Sequence, residues 1–240
     1  MYVKNVEKFE ETKLKILQDW GDVLAVDKPT GWLSVPGRGN KESIPVMSHM
    51  LGAQLRGDAI RSQSPDLFVV HRLDEGTSGV MIFAKTAEAH RALGSLFENQ
   101  KVKKTYLCVV AGAPKDQIIS QPLLKLPSKK NKSVVSAQGK PSETKIRVLE
   151  SSQNFSLVEA IPLTGRSHQI RVHLAHLGTP LVGDSLYGGP IKFNDQQWPY
   201  PLLHCHQIEF EWPLGTHRTA TAPLPSFFSK TLITLGLARS

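Results

Sequence analysis

The sequence predicts an α+β fold, and two features of its patterning carry that prediction. Short apolar runs recur at 14–17, 23–26, 67–70, 80–84, 103–110, 145–149, 156–161, 202–210 and 219–223. Helical spacing of apolar residues is confined to 44–55, 87–99 and 168–177. Many strand-length runs with few helices between them describe a sheet-dominated chain.

Composition sets the frame. The 240 residues suffice for one large domain or two small ones. Hydrophobic residues make up 40% and charged residues 21%, the ordinary balance of a globular protein in water. No apolar run approaches the ~18 residues of a membrane span. The first eight residues hold no apolar signal core, so a cytoplasmic protein without a membrane partner is expected. Lys and Arg number 29 against 21 Asp and Glu, for a net charge of +8 and a pI near 9.5. Such an excess points to a polyanionic partner, nucleic acid first. Lysines gather at Lys101, Lys103 and Lys104, and again at Lys125, Lys129, Lys130 and Lys132. Runs of this kind are either solvated loops or phosphate contacts. Cys108 and Cys205 lie in apolar, strand-like contexts and are expected as buried thiols.

Taken in order, residues 1–13 read as a polar arm ahead of a single domain at 14–240. A turn at 19–22 joins the first two strands. The stretch 27–38 carries two prolines and two glycines, which makes it a fixed loop. Residues 39–66 are polar, with a helix expected from Ile44 to Leu55. Between the runs 67–70 and 80–84 lies a glycine-bearing polar loop holding one Asp, Asp74. Backbone can approach a ligand there. A solvated turn closed by an Asx hydrogen bond fits the same spacing. Thr86 is placed to cap a helix whose Ala89, Leu93, Leu96 and Phe97 share a face. Residues 113–140 read as a long loop rich in Lys, Ser and Pro. Two strands follow. Ser167 is then expected to cap a helix striped by Ile170, Leu174 and Leu177 and ended at Gly178, with Arg171 off the stripe's centre.

The order His71-Arg72-Leu73-Asp74, then Thr77-Ser78-Gly79, then Ala84-Lys85-Thr86 resembles the signature of the RluA-type pseudouridine synthases. Other segments agree. Lys28-Pro29-Thr30-Gly31 is similar to the family's Lys-Pro-x-Gly, with Thr30 where Ala or Ser is usual. Lys104-Thr105-Tyr106 matches its Lys-x-Tyr. Gly165-Arg166-Ser167-His168-Gln169-Ile170-Arg171-Val172-His173 with Gly183-Asp184 and Tyr187 matches its second long motif. Leu203-His204-Cys205 has Cys where the family has Ala. The resemblance covers roughly residues 14–226. Larger members carry an N-terminal S4 domain; this leader is expected to be too short for one.

What the resemblance implies is specific. The fold would be a long mixed, mostly antiparallel sheet in two halves, with flanking helices and a central active-site cleft. The reaction would be isomerisation of uridine to pseudouridine in structured RNA, rRNA or tRNA stem-loops or both. The enzyme would be monomeric and need no cofactor and no metal. Asp74 would be the catalytic carboxylate and Arg171 its salt-bridge partner from across the cleft. Tyr106 would stack on the flipped uracil. Arg72 would fill the space the base vacates, since its planar guanidinium can stack. His71, Thr77, Lys104 and Arg166 are expected to contact RNA or base, with Leu181 and Val182 as an apolar floor. Two other readings weigh against this one. A non-catalytic RNA-binding or chaperone module would keep the basic face without needing Asp74, Tyr106 and Arg171 together. A metal hydrolase could use His173 with His176 or His204 with His206, but no His-Glu-x-x-His or Cys-rich set accompanies them.

Overall fold

Runs that are apolar without interruption become the most deeply buried strands of the protein. The computed structural model describes residues 13–36, 46–56, 67–127, 132–213 and 215–237. The expected arm at 1–12, the stretches 37–45 and 57–66, and Lys129 and Lys130 lie outside the described residues. By its contacts the chain forms two compact units, Met1–Lys101 with Phe210–Ala222, and Val102–Glu209 with Pro223–Ser240.

The first unit contains β1 (Ile16–Asp19), β2 (Val23–Lys28), α1 (Met47–Arg56), β3 (Phe68–Val69), β4 (Ser78–Ala84) and α2 (Ala87–Glu98). β2 runs antiparallel to both β1 and β4, and its last residue, Lys28, faces Gly79. β3 also pairs with β4. Every residue of β4 is buried, as are Val23 through Val26 of β2. Neither strand alternates, because both of its faces are covered. Met47 and Leu51 of α1 and Leu93 of α2 are fully buried. Gln54 ties α1 to the start of the chain: its Oε1 accepts from Leu14 N at 2.6 Å, and its Nε2 donates to Leu14 O at 3.0 Å. The α2 start follows the sequence expectation, with Thr86 Oγ1 accepting from Ala89 N at 3.1 Å.

The second unit contains β5 (Lys103–Ala111), β6 (Gln117–Ser120), β7 (Leu123–Lys125), β8 (Ser133–Val135), β9 (Glu143–Ser151), β10 (Phe155–Pro162), α3 (Gln169–His176), β11 (Lys192–Phe193), β12 (Gln196–Gln197), β13 (Leu203–Glu211) and α4 (Ser226–Thr234). Its sheet runs β13-β5-β10-β9-β6, antiparallel throughout. β9 shows the expected alternation: Thr144 and Ile146 are buried, while Glu143, Lys145 and Arg147 are exposed. The core gathers Val109, Phe155, Val182, Trp198 and Phe228. Cys108 and Cys205 are free and fully buried; burial pushes the Cys205 thiol up to about 12.

Two expectations are corrected. Residues 113–140 are not one loop, for they hold β6 and the hairpin β7–β8. Strands of three or four residues are too short to show a period. The cap of α3 also differs. His168 takes the N-cap position in the left-handed region, φ 57°, without a side-chain cap, and Ser167 precedes the helix. Gln169 instead ties the helix start to the chain before it: its Oε1 accepts from Arg166 N at 3.0 Å and from the Thr164 hydroxyl at 2.7 Å.

Thr86→Ala removes one cap acceptor at a half-buried helix start. Urea unfolding should show a loss of about 1 kcal/mol with an unchanged slope; an unaltered midpoint would show that packing alone sets this helix.

Candidate active site

Asp74 sits on the loop between β3 and β4, and that loop is tied down at almost every residue. Ser34 Oγ donates to Leu73 O at 2.7 Å and accepts from Leu73 N at 3.0 Å. Thr77 N donates to Asp74 O at 3.0 Å, and Gly31 N to Glu75 O at 2.8 Å. Lys28, with no exposed surface, donates from Nζ to Thr77 O at 2.7 Å, Pro29 O at 3.1 Å and Glu75 O at 3.2 Å. Burial pushes its ammonium down to about 7, against the opposing pull of the Asp74 and Glu75 charges. His71 closes the set. Its Nε2 accepts from Ile82 N at 2.9 Å, and its ring stacks on Phe97 with centroids 4.8 Å apart. Asp74 itself is only half-buried and Arg72 is exposed. The framework is fixed while the two side chains at its tip stay accessible.

The second unit builds its own cluster on α3. Arg171 is 9% exposed and grips Asp184 through two bonds, Nε to Oδ2 at 2.7 Å and Nη2 to Oδ1 at 2.9 Å. This forked geometry fixes the guanidinium plane. The plane lies over the Tyr187 ring at 5.1 Å. Behind it, His173 Nε2 faces Gln121 O at 3.0 Å and Nδ1 faces Thr144 Oγ1 at 2.8 Å. Gln169 Nε2 donates to Glu143 O at 2.8 Å and Thr144 Oγ1 at 3.0 Å. Burial lowers the His173 pKa, so its ring works as a neutral strut. Among the described residues no group of three or more His, Cys, Asp or Glu is arranged to hold a metal.

The remaining candidates are placed unevenly. Tyr106 is 9% exposed on β5, opposite Cys205 of β13 and Ala160 of β10. Lys104 is half-buried on the same strand, and burial lowers its ammonium pKa. Arg166 Nε donates to Pro141 O at 3.3 Å. Thr77 is 2% exposed, so it serves the loop through its backbone. Leu181 and Val182 have no exposed surface, and Val182 belongs to the core. Lys28, Asp184 and Tyr187 received no role from sequence reasoning. Each lay inside a quoted motif, which was the signal available.

Comparison with known proteins now bears on this geometry. Residues 22–176 match the family described as RNA pseudouridylate synthase. Ribosomal large subunit pseudouridine synthase D of Nitrosomonas europaea is 38% identical over 223 residues, 90% of this chain and 63% of that protein. Dual-specificity RNA pseudouridine synthase RluA of Escherichia coli K12 is 35% identical over 228 residues, 93% of this chain and 99% of that one. The chain thus spans about two thirds of the D-type relative and nearly all of the dual-specificity one. Human RNA pseudouridylate synthase domain containing 1 superposes with a TM-score of 0.68 at 29% identity, over 89% of this chain and 84% of its own. Human RNA pseudouridylate synthase domain containing 4 reaches 0.75 at 24% identity, over 98% of each chain, which shows the shared fold. Fold, motifs and sequence agree on a class of RNA-modifying isomerases. The chain belongs to the RNA pseudouridylate synthase family, in its RluA-type branch, whose reaction converts uridine in RNA to pseudouridine.

Two outcomes follow. The unfolded chain binds more protons than the folded one between about pH 7 and the value of an exposed lysine, so the Lys28 contribution to stability rises with pH across that window. Lys28→Met should flatten the stability-versus-pH curve from pH 7 to 9 in urea titrations; an unchanged slope would assign the proton to another group. Asp184→Asn removes the charged carboxylate that grips the buried Arg171 guanidinium through two bonds. It should cost about 3 kcal/mol in the same assay, and a loss below ~1 kcal/mol would mean that the pair behaves as a solvated one.

Proposed function

We propose that this chain converts specific uridines in rRNA or tRNA stem-loops by a base-flipping route that uses Asp74. The observation that carries this reading is the Asp74 loop: a half-buried carboxylate at the tip of a backbone held from below by Lys28 and Ser34. A rigid, accessible carboxylate suits attack or proton abstraction at a ribose. In the reaction the N1–C1′ bond breaks, the uracil turns, and a C5–C1′ bond forms. The C5 proton leaves and N1 gains one, so no redox partner is consumed. Asp74 either attacks C1′ or takes the 2′ proton; both routes need it ionised.

Arg171 is the cation for this carboxylate, and the Asp184 fork supports that role by holding its plane. Tyr106 provides the stacking surface for uracil, in line with base–aromatic contacts worth roughly 1–3 kcal/mol elsewhere. The exposed Arg72 fills the vacated stack. Lys104 and Arg166 serve the RNA backbone. His71 acts by holding the loop, since its ring and Nε2 are both engaged. The net charge of +8 agrees with an RNA partner. Cytoplasmic location and a monomeric state belong to the same reading. The E. coli relative is named dual-specificity, which makes a second RNA target for this chain worth testing. Family membership does not favour a non-catalytic module on the same fold.

The test maps pseudouridine by carbodiimide labelling and primer extension in RNA from cells with and without the gene. One or more marks should vanish on deletion, return with the wild-type gene and stay absent with Asp74→Asn. In vitro, Asp74→Asn should bind RNA within about twofold of wild type (roughly 0.4 kcal/mol) yet release no tritium from [5-³H]uridine RNA. Turnover by that variant would sink the assignment.

A further inference from the structure

The hairpin β7–β8 carries Lys125 and Lys132 and is separate from the main sheet of its unit. Within it, Lys125 pairs with Ser133, and Leu126 N donates to Lys132 O at 2.8 Å. Its first strand is bridged to the chain that follows, Leu123 and Lys140 exchanging two backbone bonds at 2.9 Å, and a side chain from farther along the chain adds to that hold. The Ser133 backbone N–H donates to the Tyr187 hydroxyl at 2.9 Å. That bond leaves the phenol's own proton available for His168 Nδ1, also 2.9 Å away. His168 is the left-handed residue at the start of α3, and its ring meets Tyr187 edge-on at 5.7 Å. Lys132 Nζ lies 5.5 Å from the centre of the same tyrosine ring that carries Arg171 at 5.1 Å. One tyrosine thus touches the hairpin backbone, a hairpin lysine, the N-cap residue of α3 and the guanidinium gripped by Asp184.

We propose that Tyr187 is a positioning residue that fixes the basic hairpin β7–β8 against α3, so that Lys132 meets a substrate RNA phosphate at a set distance from Arg171. This inference rests on the RNA-modifying activity proposed above. The physical case is one of preorganisation. A three-residue ladder such as β7–β8 is marginal on its own. A lysine on an untethered hairpin loses more freedom on binding phosphate than one already held. The phenol supplies the tether as both acceptor and donor, while its ring gives the Lys132 ammonium a resting place that it can leave for a phosphate. The remote contact then contributes to binding more than to the chemical step.

Tyr187→Phe isolates the point, because it keeps the ring under both cations and removes only the oxygen. With [5-³H]uridine stem-loop RNA, KM should rise about tenfold (~1.4 kcal/mol) while kcat stays within about twofold. The slope of log binding constant against log salt should fall by roughly one phosphate contact, about 0.7 to 0.9. Hydrogen exchange at the Ser133 amide should accelerate at the same time. Lys132→Ala should raise KM several-fold in the wild-type background and add nothing in Tyr187→Phe. An unchanged KM and salt slope in Tyr187→Phe, or an equal Lys132→Ala effect in both backgrounds, would overturn the tether. Should Tyr187→Phe fail to fold, Lys132→Ala alone decides, since a wild-type KM in that variant removes the proposed contact. Wild-type protein assayed in parallel separates the two levels: no tritium release overturns the activity itself, whereas release with unaffected variants overturns only the tether.

Discussion

A buried ammonium beneath the Asp74 loop is the constraint on which the first unit depends. Lys28 ends β2 with no exposed surface, and its three donors go to carbonyls of Pro29, Glu75 and Thr77. Taking such a charge out of water is expensive unless its protons are satisfied. The return here is geometric: two of those carbonyls belong to the three residues that follow Asp74. Ser34 holds the residue before it from both sides of the peptide. The Lys-Pro-Thr-Gly segment is thereby explained as the underside of the Asp74 loop.

The second unit solves the same problem with an ion pair. Arg171 rises from a short helix that is buried on almost every side, from Gln169 through Leu174. Asp184 meets it with both carboxylate oxygens, and Tyr187 lies under its plane. Below that level, Gln169, Thr144 and His173 form a chain of hydrogen bonds from α3 to β9 and to Gln121. Networks of this kind are rigid when every member is satisfied. They explain why Gln169, Arg171 and His173 are buried in α3 beside the expected apolar stripe of Ile170 and Leu174.

Much of this was legible from residue order. The boundaries of α2, its Thr86 cap and the alternating strand β9 follow from local rules, because periodicity and capping are properties of contiguous residues. The motif around Asp74 marks the loop between β3 and β4. Misreadings came where the deciding partner is distant in sequence. β6 was taken for loop, although its ladder is made with β9, some two dozen residues on. Leu181 and Val182, expected as an apolar floor, are fully buried, Val182 in a core assembled from β5, β10 and α4.

By itself the sequence determined the class of fold, the family and the loop that carries Asp74. Those rest on patterns that residues carry with them: strand-length apolar runs, a cap, a signature of fixed spacing. Only the tertiary structure decided what Lys28, Ser34, Asp184 and Tyr187 do. Each acts through a hydrogen bond or ring contact to a residue between 13 and 54 positions away. Such pairings are set by how strands and helices pack, and no local pattern records them.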